Sequence, residues 1–290
     1  MSAITIANQL VLGLSTAAVY VLVSLGLTMI FGMMNVLNFT HGILYALGAY
    51  FGYLMARLTG SFWLALALAP LIVAVVGVVI ERISIRPLAD RPHLIQFLAT
   101  FALALVIEQV IRLVAGNDAY PVSMPAGLAH VASIGPFNFP SYRLFLIAAA
   151  IAVCAGLGAL LARTRAGMLI RATSEDPEMA ALLRVDTAKV STAVFAGGSA
   201  LAGLAGVLAA PVFSVHPSMG EELITVAFLI ATAGGLGSVR GTIIAAVILS
   251  EASSLGLLAV GKYSDVLTIC IMAAVFLVWP AGIFGRAEGR

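Results

Sequence analysis

The chain has 290 residues, 62% of them hydrophobic and 10% charged, against roughly 45 to 50% and about 25% in soluble domains, so a water-facing surface cannot be built from what remains. Fifteen basic and thirteen acidic residues leave a net charge of +2, with no basic patch dense enough to track phosphates. Composition therefore excludes a secreted disulfide scaffold, a nucleic-acid binder and a soluble enzyme, and predicts an all-α, polytopic integral membrane helical bundle forming a single transmembrane domain over residues 1–290.

A bilayer span takes about 20 mostly apolar residues. Apolar runs bounded by charge, Gly or Pro predict nine, at 7–31, 39–56, 62–83, 94–115, 144–162, 190–213, 223–236, 242–260 and 266–284. The first 56 residues contain no Lys, Arg, Asp or Glu, so the charged start of a cleavable signal is missing and the first run is expected to remain as a span. The seventh run, 14 residues long, covers only about 21 Å of a hydrocarbon core near 30 Å. It is expected to be short, broken or re-entrant, which puts the count at eight to nine. Cys154 and Cys270 sit in apolar runs, where a thiol behaves as a small hydrophobe, and neither a disulfide nor a metal site is expected.

Cytoplasmic loops are enriched in Lys and Arg. Placing Arg163, Arg165, Arg171, Arg184 and Lys189 inside brings eleven of the fifteen basic residues inside and leaves Arg57, Arg112, Arg143 and Lys262 outside. The N-terminus is then external and the C-terminus, with Arg286 and Arg290, internal. The external loop 116–142 carries Pro121, Pro125, Pro136 and Pro140 and reads as ordered but not helical. The cytoplasmic loop 163–189 has a helix signature, with Ser174, Glu175 and Asp176 ahead of Pro177 and good helix formers from Glu178 to Arg184. A short helix there suits docking to another subunit, or alternatively rests on lipid headgroups.

Small residues four apart let helices approach closely in lipid, and Gly198, Ala202, Gly206 and Ala210 in the sixth run, with Gly48 and Gly52 in the second, are expected to be buried contacts. Two junctions differ from packing stripes: GMMNVLNFTHG from Gly32 to Gly42, and GGLGSVRG from Gly234 to Gly241. Both put polar groups and glycines where a helix breaks near a membrane face, and broken backbone at that depth needs protein or a water-filled cavity to satisfy it. Asn35, Asn38, Thr40, His41 and Gly42, and Gly234, Gly235 and Gly237, are thus candidates to line a path, while His41 also reads as a core histidine and the asparagines as helix caps. Intramembrane ionisable groups add Glu108 and Arg112, spaced to pair on one helix face, and Glu251. Metalloprotease and hydrolase motifs are missing, the four histidines are dispersed, and the Gly234 to Gly241 run lacks the Lys of a phosphate-binding loop.

Four stretches carry a resemblance: LGLTMIFGMMNVLNFTHGILYALGAY (Leu25 to Tyr50), RATSEDPEMAALLRVDTAKVSTAVF (Arg171 to Phe195), AFLIATAGGLGSVRGTIIAAVILSEA (Ala227 to Ala252) and WPAGIFGR (Trp279 to Arg286). In this order they resemble the LivH-type permease subunits of ATP-binding-cassette importers for branched-chain amino acids. The resemblance implies a non-enzymatic transport subunit in the cell's inner (plasma) membrane. It would pair with a related second permease, two cytoplasmic ATPases that carry ATP and Mg, and a periplasmic or extracellular substrate-binding protein, with no cofactor of its own. Pro177, Glu178, Ala180, Ala181, Leu182 and Arg184 then look like the helix that couples to an ATPase. Arg184 departs from the family, which usually has Gly there, and this bears on how sharply the helix turns. Aliphatic amino acids are the implied cargo, and a tightly binding charged pocket is not expected. Urea or a short amide is the alternative within the family, and a self-sufficient channel or secondary transporter the alternative outside it.

Overall fold

The computed structural model describes residues 3–89, 91–134, 137–279 and 282–284. Twelve α-helices and one small hairpin follow in order. They are α1 (Ala3–Met34), α2 (Thr40–Thr59), α3 (Phe62–Ile80), which runs through a π-helical turn at Glu81–Ile85 into the short α4 (Arg86–Leu88), and α5 (His93–Ala115). Strands β1 (Val131–Ile134) and β2 (Phe137–Pro140) pair antiparallel, with Val131 opposite Pro140. Next come α6 (Ser141–Arg163), α7 (Arg165–Glu175), α8 (Pro177–Leu182), α9 (Thr187–Phe213), α10 (Met219–Gly234), α11 (Val239–Val260) and α12 (Ser264–Val278).

Every apolar run read from the sequence falls on a helix. Six of these are long and apolar enough to cross a bilayer: α1, α3 with its continuation to Leu88, α5, α6, α9 and α11. The other three runs form α2, α10 and α12, of 20, 16 and 15 residues. The last run was expected to reach Phe284, but α12 stops at Val278, and the chain turns through Gly282 (φ 83°) so that the Ile283 and Phe284 amides donate to the Ala233 and Gly234 carbonyls at the end of α10. Arg286 and Arg290, used to orient the chain, lie outside the described residues.

The centre of the fold is α1 packed between α9 and α11, with α2 and α3 on the far side of α9. Two-thirds of the apolar window of α1 and of α9 is buried, against 22% for α5 and 11% for α6, so α5 and α6 form the rim. Glycine sets the spacing. Gly48 of α2 meets the Gly203 backbone of α9, Gly52 meets Val207, and Gly206 lies against the Tyr45 carbonyl and the Ala49 amide, too close for any side chain. The expected small-residue stripe, Gly198, Ala202, Gly206 and Ala210, is fully buried. In lipid, where apolar burial drives little association, such backbone approach is a main source of helix–helix attraction.

Two ends of the bundle can be told apart by contacts. At one, the hairpin end, Arg143 donates to Ser15 Oγ (2.8 Å), and Tyr120 and Val215 exchange both backbone hydrogen bonds (2.8 and 2.9 Å). At the other, the α7–α8 end, Ser174 Oγ donates to the Gly32 carbonyl (2.8 Å) and Arg86 Nη2 to Thr192 Oγ1 (2.6 Å). The loop 116–142 and the segment 163–189 therefore sit at opposite ends of α6. The loop starts as irregular chain and then forms a 3₁₀ turn (Ala126–Leu128) and the β hairpin.

Replacing Gly206 with Leu should lower the thermal midpoint of the purified protein in mild detergent, at a cost of about 1–3 kcal/mol for forced overpacking. Gly197→Ala, whose Cβ would meet nothing within 4 Å, should leave it unchanged. Equal midpoints for the two variants would contradict the close α2–α9 contact.

Candidate functional site

Where α2 and α10 begin decides what the fold can do. Gly26 of α1, Gly198 of α9 and the His41 ring are in contact, and Gly198 lies two residues from the middle of the Thr187–Phe213 helix. Helix α2 thus starts about 17 Å in from the first residue of α9, at mid-depth rather than at a face. Met34 ends α1 nearer the α7–α8 end, and residues 35–39 carry the chain back inward. Helix α10 also starts at depth. A Cβ on Gly220 would fall 2.7 Å from the Gly42 carbonyl oxygen, and a Cβ on Gly42 would strike the Gly220 carbonyl. The first turns of two helices running in opposite directions therefore touch backbone to backbone. The sequence placed the start of α10 in an external loop; instead residues 214–218 leave the hairpin end and dip inward.

Backbone that leaves helical geometry at this depth must find partners. Asn35 adopts a left-handed conformation (φ 50°) and its amide closes α1 on Phe31 O at 2.8 Å. Asn38, fully buried, accepts from the Thr40 amide at 3.1 Å and from the Thr40 hydroxyl. Thr100 of α5 donates to Leu37 O (3.2 Å) and accepts from the Phe39 amide (3.3 Å). Phe39 stacks on Phe228 of α10 (centroids 4.6 Å) and meets Phe97 of α5 edge-on (4.6 Å). His41 Nε2 lies 3.0 Å from the Val23 carbonyl, so that nitrogen carries the proton and the ring acts as a helix-packing histidine behind the junction.

Between α2, α5 and the start of α10 runs a narrow crevice, with Phe39, Ile43, Phe101, Leu105 and Ile224 as apolar walls and Glu108 and Glu221 as polar groups. Glu108, only 6% exposed, pairs with Arg112 at 2.5 Å as the i,i+4 spacing predicted, and Arg112 Nη1 also donates to Asn117 (3.1 Å). Glu221 and Glu222 in the first turn of α10 are both exposed, and Glu222 is held by Ser218 Oγ (3.1 Å) and lies 3.5 Å from His216 Nε2. The sequence reading missed Glu221; its signal was a Ser-x-x-Glu start, Ser218 to Glu221, just before an apolar run.

The path candidates divide among three places. Asn38, Thr40, Gly42, Glu108 and Arg112 gather at the crevice or just behind it. Asn35, Gly234, Gly235 and Gly237 lie at the α7–α8 end, where Gly237 packs on Gly32, so the two glycine junctions singled out by sequence touch each other. Glu251 stands apart in the α1–α11 seam, its carboxylate against Gly13 and beside the reciprocal Gln9–Ser254 hydrogen bonds of 2.8 Å.

The segment after α6 forms two helices where one was expected. Asp176 Oδ1 caps α8 by accepting from the Met179 amide (2.9 Å), with Pro177 in the first turn. Ala180 is buried against the chain, whereas Glu178 and Ala181 are exposed and Met179, Leu182 and Leu183 present apolar side chains outward. Arg184 takes the left-handed conformation (φ 63°), its amide and that of Val185 closing on Ala181 O and Ala180 O. The helix therefore turns as sharply as with Gly. Two residues on, Asp186 starts α9, and its hydrogen bonds from Lys189, side chain first and then backbone, hold its carboxyl below the usual carboxylate range.

A left-handed conformation costs a residue with a side chain about 1–2 kcal/mol. Arg184→Gly should therefore raise the thermal midpoint in detergent; an unchanged or lower midpoint would mean that the side chain makes compensating contacts.

The chain matches, over residues 9–276, the family described as branched-chain amino acid transport system, permease component. It is 30% identical to the high-affinity branched-chain amino acid transport system permease protein BraD of Pseudomonas aeruginosa, covering 97% of this chain and 96% of the relative. It is 31% identical to LivH of Escherichia coli K12, of the same description and with the same coverage. A probable branched-chain amino acid transport permease protein LivH of Methanocaldococcus jannaschii is 29% identical over 91% of this chain and 88% of the relative. No solved structure matches the chain.

Proposed function

Because this chain belongs to the family of branched-chain amino acid transport permease components, we propose that it forms half of the membrane path of an ATP-driven importer for leucine, isoleucine and valine. The observation that carries this reading is the exposure of Glu221 and Glu222 at mid-depth, beside the meeting of α2 and α10. A carboxylate exposed at that level costs several kcal/mol against lipid tails and is stable only beside water or protein. Such a surface needs a second chain across it, so the water-lined path lies between two permeases.

Nine segments cross or enter the inner (plasma) membrane in this reading. Helices α1, α3, α5, α6, α9 and α11 cross fully, α2 and α10 start at mid-depth and leave toward opposite faces, and α12 completes the count. The hairpin end is external and receives the substrate-binding protein. The α7–α8 end is cytoplasmic. There Met179, Leu182 and Leu183 seat α8 on one of two ATPases, which hold the ATP and Mg. Motion passes from α8 through α7 to the Ser174–Gly32 hydrogen bond (2.8 Å), and so to the junction that sets where α2 begins. Pro177, Glu178, Ala181 and Arg184 shape that helix, with Ala180 as its anchor to the chain.

The apolar walls suit an aliphatic side chain and offer a neutral amide few partners. The complete complex, reconstituted in vesicles with ATP at the ATPase face and with its binding protein, should take up labelled leucine and not urea. Urea uptake without leucine uptake would move the cargo to the amide branch; leucine uptake that persists without the ATPases would make the chain a self-sufficient carrier.

A further inference from the structure

The charges around the crevice do not cancel. Glu108 is neutralised by Arg112, which spends both Nε and Nη2 on Glu108 Oε1 (3.2 and 2.5 Å), so the second oxygen of this buried crevice residue has no hydrogen bond among the described residues. Glu221 is different: its carboxylate has no hydrogen bond or ion pair among the described residues, and the residue is exposed and borders the same crevice. Glu222, one residue on, is occupied by Ser218 and lies near His216. One negative charge beside the crevice is therefore left uncompensated among the described residues, and the Glu108 carboxyl borders the same space. The free space is small, about 20 Å³, which takes a water-sized group and no more. An ammonium head is that size and donates three hydrogen bonds.

Resting on the amino-acid reading above, we propose that Glu221 and the free oxygen of Glu108 form a subsite for the ammonium group of an α-amino acid passing through the permease, with its aliphatic side chain against Phe39, Phe101 and Ile224. The subsite is narrow in this conformation and admits the whole amino acid when α5, the rim helix, draws away from α2 and α10. One uncompensated carboxylate attracts a zwitterion weakly, which suits a site that must release its cargo. It also discriminates: urea and short amides carry no ammonium, and an anion is repelled.

The test uses the complete complex in vesicles, supplied with leucine-loaded binding protein at saturation so that the binding protein's own affinity drops out. Uptake of labelled leucine and binding-protein-stimulated ATP hydrolysis are measured together. Glu221→Gln keeps size and removes charge, Glu221→Asp keeps the charge, and Ala104→Trp fills the crevice from α5. Loss of a charge-assisted hydrogen bond should lower leucine uptake by about tenfold or more in Glu221→Gln, with ATP hydrolysis still stimulated and with Glu221→Asp largely restored. Ala104→Trp should lose uptake similarly. Uptake at the unsubstituted rate in both Glu221→Gln and Ala104→Trp would overturn the subsite and leave the importer reading standing. A parent complex that takes up no leucine would instead overturn that reading and the subsite with it.

Discussion

The contact between Gly42 and Gly220 is the constraint on which the rest of this structure depends. Two helix starts meet backbone to backbone in the middle of the bundle, and neither position tolerates a side chain. Helix starts leave amides without intrahelical acceptors, and in a bilayer such groups are tolerated only where protein or water satisfies them. The chain answers with buried polar side chains on the α2 side, Asn38 and Thr100; on the α10 side the Met219 and Glu222 amides close on the His216 and Ser218 carbonyls and the acidic first turn, Glu221 and Glu222, is exposed. One start is sealed within protein and the other is left open.

The same junction connects to the opposite end of the molecule. Ser174 of α7 reaches the Gly32 carbonyl (2.8 Å), Gly32 packs on Gly237 after α10, and the returning chain at Ile283 is hydrogen-bonded to Ala233 (2.8 Å). The end of α1, from which the chain returns to start α2, and the end of α10 are thus tied at the α7–α8 end. A second clasp stands beside them: Glu81, 1% exposed in the π-helical turn, pairs with Arg86 at 3.0 Å, and Arg86 donates to Thr192 (2.6 Å) at the foot of α9. Short, polar contacts thus lead from the α7–α8 end into the bundle, where α2 and α9 meet backbone to backbone at glycines.

Much of this was legible in the sequence because apolar runs and punctuation are local. Each span fell on a helix, the Asp176–Pro177 start of α8 was readable from capping chemistry, and the i,i+4 spacing of Glu108 and Arg112 gave their pairing. Depth was not legible. An apolar run looks alike whether it starts at a face or at the middle, so α2 read as an ordinary span, α10 was marked only by its shortness, and Glu221 read as a loop residue beside Pro217 and Gly220. The meeting of Gly32 with Gly237, the two junctions flagged separately, is a tertiary fact that no local pattern carries. The π-helical turn was hidden because the run 62–83 carries no local mark of a break, while Glu81 within it is buried and bonded to Arg86.

The most direct measurement is an electron-microscopic structure of the assembled complex in lipid nanodiscs, where the disc density marks both faces of the bilayer. The account predicts that the Gly42 and Gly220 backbones remain in contact near the midplane, with Glu221 facing a water-filled space shared with the second permease. Finding Gly220 at the external headgroup level, with α10 crossing the full bilayer from there, would contradict it.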